Sequence, residues 1–461
     1  MKHIDETKID VLLKMEATEK EIDDILEKTK QLKRLSLEES AKLLSVKGSS
    51  VLQKIYDAAS YVKDTIYGKR VVLFVPLYIS NFCANSCLYC GFASNNKLTA
   101  RKKLTFAEIK EQTEILLKRG HKRILMVAGE MASSKENIDY YVGAVKAIYS
   151  ADYEGSRIKR VNVNVAPMSI ENFKKLKESG IGTYQIFQET YHEATYRKLH
   201  VAGAKVDPDD RLDAIDNAFK AGIDDVGIGY LVGLYRSNFE ILAMLMHIEY
   251  LEKTYDIGPH TISIPRIEPA PGSSYASKPE HPITDEEFKK IVAVLRLSVP
   301  YTGIIMSTRE MAELRDALVN LGVSQISAES RVTPGGYEEN SVHNEKLERQ
   351  FSVNDQRSLN EIVKSLLLQG FIPSFCAACY RKNRTGKHFM NLAKPGEIRR
   401  MCDINALVTL KEFLEDFARA DVKELGYKLI EERKAVLDNT SIGILEKFFR
   451  DISIGVRDKY V

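Results

Sequence analysis

The six cysteines of this chain fall into two groups of three: Cys83, Cys87 and Cys90 in "CANSCLYC", and Cys376, Cys379 and Cys402 in "FCAACYRKNRTGKHFMNLAKPGEIRRMC". A disulfide framework uses cysteines in pairs and needs an oxidising compartment. Triads read instead as metal ligands. Three thiolates can bind three irons of a 4Fe–4S cluster and leave the fourth iron without a protein ligand. Such an open coordination position separates a working metal site from a closed structural one. Zinc is the alternative, normally with four protein ligands. No further cysteine or histidine lies near the first triad, whereas His388 lies between the last two cysteines of the second and could complete zinc there.

Charge narrows the partners. Lys and Arg number 67 against 64 Asp and Glu, a net +3 with no long basic block. Phosphate backbones call for clustered cations, so no nucleic acid is expected. The opening stretch, "MKHIDETKIDVLLKMEATEKEIDD", is charged throughout and lacks the apolar core of a signal peptide. No apolar run approaches the ~18 residues that span a bilayer. The expectation is a cytoplasmic protein with no membrane partner.

Elements that could position the triads are legible in the apolar runs. Residues 1–70 read as a helical N-terminal segment, with "SLEE" (Ser36–Glu39) as a capping box. From residue 71, eight apolar runs follow: 71–77, 123–129, 161–166, 183–189, 225–233, 261–267, 303–308 and 324–329. Each but the last is separated from the next by a helical pattern, which predicts an α/β fold, a TIM-type (βα)8 barrel over 71–335. Residues 336–461 read as a C-terminal extension with helical patterns at 358–370 and 404–422, reached through the polar connection "ENSVHNEKLERQFSVNDQRS". In this frame the first triad follows strand one, at the barrel face where such enzymes keep their chemistry.

Cys83, Cys87 and Cys90 at C-x3-C-x2-C spacing, Tyr89 before the last cysteine, Gly91-Phe92 after it, and "AGE" (Ala128–Glu130) closing strand two resemble the radical S-adenosylmethionine (SAM) superfamily. The resemblance implies a radical SAM barrel whose first 4Fe–4S cluster chelates SAM through its open iron. It implies that Gly129 and Glu130 contact the SAM amino group and Glu189 its ribose. Arg211 in "DDRLDAID" either faces SAM or pairs with Asp210.

The second triad, C-x2-C-x22-C behind such a barrel, resembles the HydG family, the tyrosine lyases that mature [FeFe]-hydrogenase. So do "PLYISNFCANSCLYCGF", "GIGTYQIFQETYH", "GPHTISIPRIEPA" and "CYRKNRTGKHFM". Thiamine-pathway tyrosine lyases of the ThiH type share the barrel but lack the second triad. The resemblance implies cleavage of L-tyrosine to p-cresol and dehydroglycine, then conversion to carbon monoxide and cyanide for hydrogenase cluster assembly. It implies a second 4Fe–4S cluster in the C-terminal extension, carrying an additional iron with His260 of "GPHTIS" as its protein ligand. Ferredoxin or flavodoxin would be the reductant, and other hydrogenase maturases possible partners. Two readings stand beside it: a related radical SAM lyase, 2-iminoacetate synthase-like or acting on another amino acid, and a non-catalytic iron–sulfur scaffold. The SAM-holding positions favour an enzyme.

His260 precedes strand six, at the barrel's N-terminal mouth, so an extension capping that mouth would bring the second cluster beneath it. A fragment of tyrosine would then cross the barrel interior, for which the asparagines of "VNVNV" and the glycines of "VGIGYLVG" leave room. For the substrate carboxylate, the candidates are Arg331, Ser327 and Ser330 after strand eight, with Arg266 after strand six. Three stretches depart from the HydG-family pattern: Glu329 stands where glycine is expected, "HVAGAK" (200–205) replaces a proline-containing stretch, and "CDINA" (402–406) lacks a proline. A carboxylate at 329 beside the pocket would repel a substrate carboxylate or pair with its ammonium. The remaining glycines contain no G-x-G-x-x-G opening a helix, so no dinucleotide site is expected.

Overall fold

A computed structural model describes residues 1–131, 137–338 and 348–461. Eight strands wind into a parallel barrel: β1 (Arg70–Ser80), β2 (Arg123–Ala128), β3 (Arg160–Asn164), β4 (Tyr184–Gln185), β5 (Val226–Gly229), β6 (Thr261–Ser263), β7 (Gly303–Met306) and β8 (Val323–Ser327). The ring closes because β1 is long enough to serve two neighbours. Its residues Val72–Phe74 pair with β8, while Val75–Ser80 pair with β2. Helices cover the outside, so both faces of each strand are buried; hence the runs are apolar throughout rather than alternating. The expected barrel is present.

The N-terminal segment supplies four helices, Glu6–Leu12, Glu19–Thr29, Leu37–Ser45 and Ser49–Tyr67. The capping box forms as expected: Ser36 Oγ accepts from Glu39 N at 3.1 Å, and Glu39 Oε2 accepts from Ser36 N at 2.7 Å. That satisfies two of the donors that a helix start leaves orphaned. No helix among the described residues is long and apolar enough to cross a membrane.

A ninth strand, β9 (Ile372–Ser374), comes from the C-terminal segment and lies parallel to the first three residues of β1. Its Pro373 has no N–H to give, which an edge strand paired on one side tolerates. The strand brings "FCAAC" directly under the barrel's N-terminal mouth, and helix Ile398–Asp416, which carries Cys402, packs on it. The stretch read as a connection is half structure: from Gln350 onward it crosses the opposite mouth, with Ser352 N donating to Pro269 O (2.8 Å) and Asn354 N to Thr308 O (3.0 Å). Residues 339–347 lie outside the described set.

Candidate active site and a second cysteine site

The loop after β1 carries Cys83, Cys87 and Cys90 into one cavity at the C-terminal mouth, lined also by Tyr89, Gly129, Glu130, Glu189 and Arg211. Gly129 is needed for close approach: a Cβ there would stand 2.4 Å from Phe82 O. Ala84 N donates to Glu130 O at 2.7 Å, fastening the cysteine loop to the end of β2.

Four buried charges meet beside the cysteines. Arg211 Nη1 donates to Glu130 Oε1 at 2.6 Å, and its Nη2 lies 3.5 Å from Glu189 Oε1; its partner is the cavity's acid, not Asp210. Lys205 Nζ donates to the same Glu189 oxygen at 2.5 Å. Asn85 Nδ2 donates to Glu130 Oε2 at 2.7 Å. Burial alone would raise Glu130, but Arg211 and Lys205 outweigh it and hold the carboxyl at about 2. Glu189 is likewise held low against burial by Lys205 and Arg211. Both acids are therefore carboxylates at neutral pH, able to accept from ammonium or hydroxyl donors. Glu189 has φ +70°, a left-handed conformation uncommon for a side-chain-bearing residue, and Leu231 N donates to its carbonyl at 2.8 Å.

The divergent "HVAGAK" stretch turns out to hold the cysteine loop. Ser86 N donates to Ala202 O at 2.9 Å and Leu88 N to Leu199 O at 3.0 Å. Gly203 has φ +95°, and a Cβ there would meet Asn85 Oδ1 at 2.2 Å. His200 is buried, which pushes its pKa down to about 3. Its ring, with one nitrogen 2.7 Å from Tyr196 O, donates there from Nδ1 and accepts at Nε2 from Tyr89 Oη (2.8 Å). Tyr89 is thereby fixed beside Cys90. The sequence reading did not single out Lys205 or His200.

At the substrate end, Ser327 and Ser330 line the cavity, with Ser330 Oγ 3.2 Å from Ser327 Oγ. Arg331 and Arg266 are not among its lining residues. Arg331 donates its backbone N–H to Tyr337 Oη (3.2 Å), and Arg266 is engaged by Glu310 (Nε to Oε2, 2.8 Å) and Asp285 (Nη1 to Oδ1, 2.8 Å). Beside Lys205 and Arg211, a third cation lines the cavity, Arg309, whose guanidinium lies 3.4 Å from the Phe351 ring centre. Glu329 points elsewhere: it does not line the cavity, and its Oε2 lies 2.9 Å from Nε2 of buried His121. The concern that it repels substrate is thus corrected. Its φ of +51° accounts for glycine in the family pattern.

At the other mouth, Cys376, Cys379, Cys402 and His260 line a single second cavity. Burial lowers the His260 pKa, favouring the neutral imidazole, and its Nδ1 lies 3.3 Å from Asp225 Oδ2. That carboxylate is 2% exposed and accepts no hydrogen bond among the described residues, so the imidazole is the group it faces. His388 is exposed, its Nδ1 near Asn383 O (3.2 Å), and does not line this cavity. Among the described residues, no three His, Cys, Asp or Glu side chains converge on one metal ion. In a 4Fe–4S cubane each thiolate sulfur takes its own iron. Each cavity is lined by three thiols, the donor type and number that such a cluster takes with one iron left open.

A third cavity lies inside the barrel between these two. It shares Phe74, Leu125, Gln185 and Ile305 with the first and Arg123 and Gln325 with the second. The asparagines of "VNVNV" do line the interior: Asn162 in the middle cavity, Asn164 in the upper.

Comparison with known proteins follows the same lines. Residues 77–248 match the radical SAM superfamily model, and residues 263–372 the biotin and thiamin synthesis associated domain. The chain is 31% identical over 350 residues to 2-iminoacetate synthase of Escherichia coli K12, covering 76% of this chain and 89% of that one. A crystal structure of HydG, described as a maturase of the [FeFe]-hydrogenase, superposes with TM-score 0.95 at 45% identity over 100% of both chains. HydG from Carboxydothermus hydrogenoformans superposes with TM-score 0.81 at 40% identity, covering 93% of this chain and 94% of that one.

Proposed function

As the chain belongs to the radical SAM superfamily, in a HydG-like branch related to 2-iminoacetate synthase, we propose that it is a tyrosine lyase whose products become carbon monoxide and cyanide. Membership implies SAM and one 4Fe–4S cluster; tyrosine, the second cluster and hydrogenase maturation are the proposal. The observation that carries it is the pair of cysteine triads at opposite mouths of one barrel, joined by cavities that share lining residues.

Bound at the first triad and reduced by one electron, SAM supplies methionine and a 5′-deoxyadenosyl radical. The chain's own residues orient and exclude. Glu130 and Glu189 would accept from the SAM ammonium and ribose hydroxyls, with Arg211 and Lys205 keeping both acids ionised. Arg309, Ser327 and Ser330 would take the tyrosine carboxylate, a planar fork and two hydroxyls suited to it. Hydrogen abstraction from the tyrosine amino group breaks Cα–Cβ, giving dehydroglycine and a 4-hydroxybenzyl radical. A second electron and a proton make that radical p-cresol. Dehydroglycine anion divides into carbon monoxide, cyanide and water, which balances without an oxidant. At the second triad, Cys376, Cys379 and Cys402 would hold three irons of a cluster. His260, its Nδ1 turned to Asp225, would leave Nε2 for an additional iron.

The test is anaerobic incubation of reconstituted protein with SAM, dithionite and tyrosine. p-Cresol with deoxyadenosine is expected. Deoxyadenosine without p-cresol sinks the tyrosine assignment; neither product favours a scaffold.

A further inference from the structure

The stretch entering from residue 348 packs against the first cysteine loop. Gln350 N donates to Val332 O (3.0 Å), and Gly91 N donates to Gln350 O (3.0 Å). The backbone of residue 350 is therefore tied to two loops of the barrel mouth. Its side chain spans two groups: Tyr78 Oη lies 2.8 Å from Gln350 Oε1, and Gln350 Nε2 lies 3.7 Å from Cys90 Sγ. The amide's polarity follows from chemistry. A metal-bound thiolate only accepts, so the nitrogen faces sulfur, and the oxygen is left to take the tyrosine proton. Phe92 N also donates to Cys90 Sγ, at 3.4 Å.

We propose that Gln350 is a positioning residue for the reducing power of the first cluster: its amide N–H, aimed by Tyr78, donates to Cys90 Sγ and raises the cluster's reduction potential. The physical reason is charge. Reduction adds an electron spread over iron and sulfur, and an N–H pointed at a ligand sulfur stabilises the more negative state. This inference rests on the first triad holding a 4Fe–4S cluster and is independent of which amino acid is cleaved.

The experiment is a redox titration followed by electron paramagnetic resonance, on reconstituted protein carrying Cys376→Ala and Cys379→Ala so that only the first cluster contributes. With Gln350→Leu the midpoint is expected to move to more negative potential, by about the ~59 mV that a tenfold change in a one-electron equilibrium represents. Iron content at the parent level with an unchanged midpoint overturns the proposal. Should Gln350→Leu fail to hold iron, Tyr78→Phe carries the test. It frees the amide without altering the cysteine loop, and a smaller negative shift is expected; no shift there overturns the proposal equally. Absence of any cluster signal in the parent protein would instead defeat the cluster reading itself, so the two failures are distinct.

Discussion

Lys205 Nζ and Glu189 Oε1 stand 2.5 Å apart, with side chains only 9% and 13% exposed, at the edge of the cavity that the first cysteine triad enters. Glu189 also feels Arg211 at 3.5 Å, so losing the lysine weakens its charge support without abolishing it. Breaking a buried pair costs up to about 3–5 kcal/mol. Lys205→Met is expected to lower the melting temperature and to weaken SAM binding by at least about tenfold, ~1.4 kcal/mol. Equilibrium dialysis with reconstituted protein reads it; unchanged affinity would remove Lys205 from the site.

Gly203 permits the "HVAGAK" stretch to lie against the cysteine loop. Gly203, at φ +95° and ψ −176°, sits in a backbone region essentially reserved for glycine, so Gly203→Ala adds strain on the order of 1–3 kcal/mol and a collision with Asn85 Oδ1. The expected outcome is poorer iron incorporation at the first triad, measured by iron analysis in a Cys376→Ala/Cys379→Ala background. Full incorporation contradicts it.

Glu240, buried with 0% exposure, accepts from Tyr191 N at 2.7 Å and contacts Thr190 Oγ1, two residues beside Glu189. Burial pushes its pKa up to about 8. A carboxyl raised in the folded state contributes stability fully present below the unfolded pKa and lost as pH rises through the folded value. The protein should therefore lose stability progressively from about pH 4.5, the ordinary carboxyl value, up to about pH 8, by an amount on the order of a few kcal/mol in all. Glu240→Gln, which mimics the protonated acid, should flatten that loss; denaturant melts at pH 6 and 9 compare them.

Cys376→Ala/Cys379→Ala removes two of the three thiols proposed to hold the second cluster, and neither residue lines the upper cavity. p-Cresol should persist while carbon monoxide, trapped by a reduced haem protein, falls to background. Loss of both products would mean that the two sites do not divide the reaction.

Glu329→Ala should leave the KM for tyrosine within about twofold, since the carboxylate faces His121 and not the cavity. A large change in KM would return Glu329 to the substrate site. Thermal stability should fall modestly, because His121 loses its buried partner.

What the sequence revealed follows how local each signal is. The first triad needs eight residues, and the barrel needs only repeated apolar runs, so both are legible directly. Glu130 and Glu189 are reached only through the resemblance to the radical SAM superfamily, which implies SAM contacts at those strand ends. Gln350 and Tyr78 meet across 272 positions of sequence, and nothing near either residue marks the other. Arg309 was not among the expected cations: it follows β7 as Arg331 follows β8, each with a serine nearby, and only folding decides which enters the cavity. Glu329 shows the same limit in reverse: adjacent Ser330 lines the cavity while Glu329 turns outward. β9 spans three residues, one of them proline, too few to carry a period.

The pairing of β1 with β9 also sets an order of assembly. Arg70 waits for Ile372, about three hundred residues later, before the lower part of its strand has a partner. Contacts of such sequence separation form late, because the loop they close costs entropy before it is repaid. In chain order, every strand of the eight-stranded ring is made before Cys376. The lower mouth can therefore close only after the ring's strands and the C-terminal segment are both available, so the second cysteine site is expected to form late.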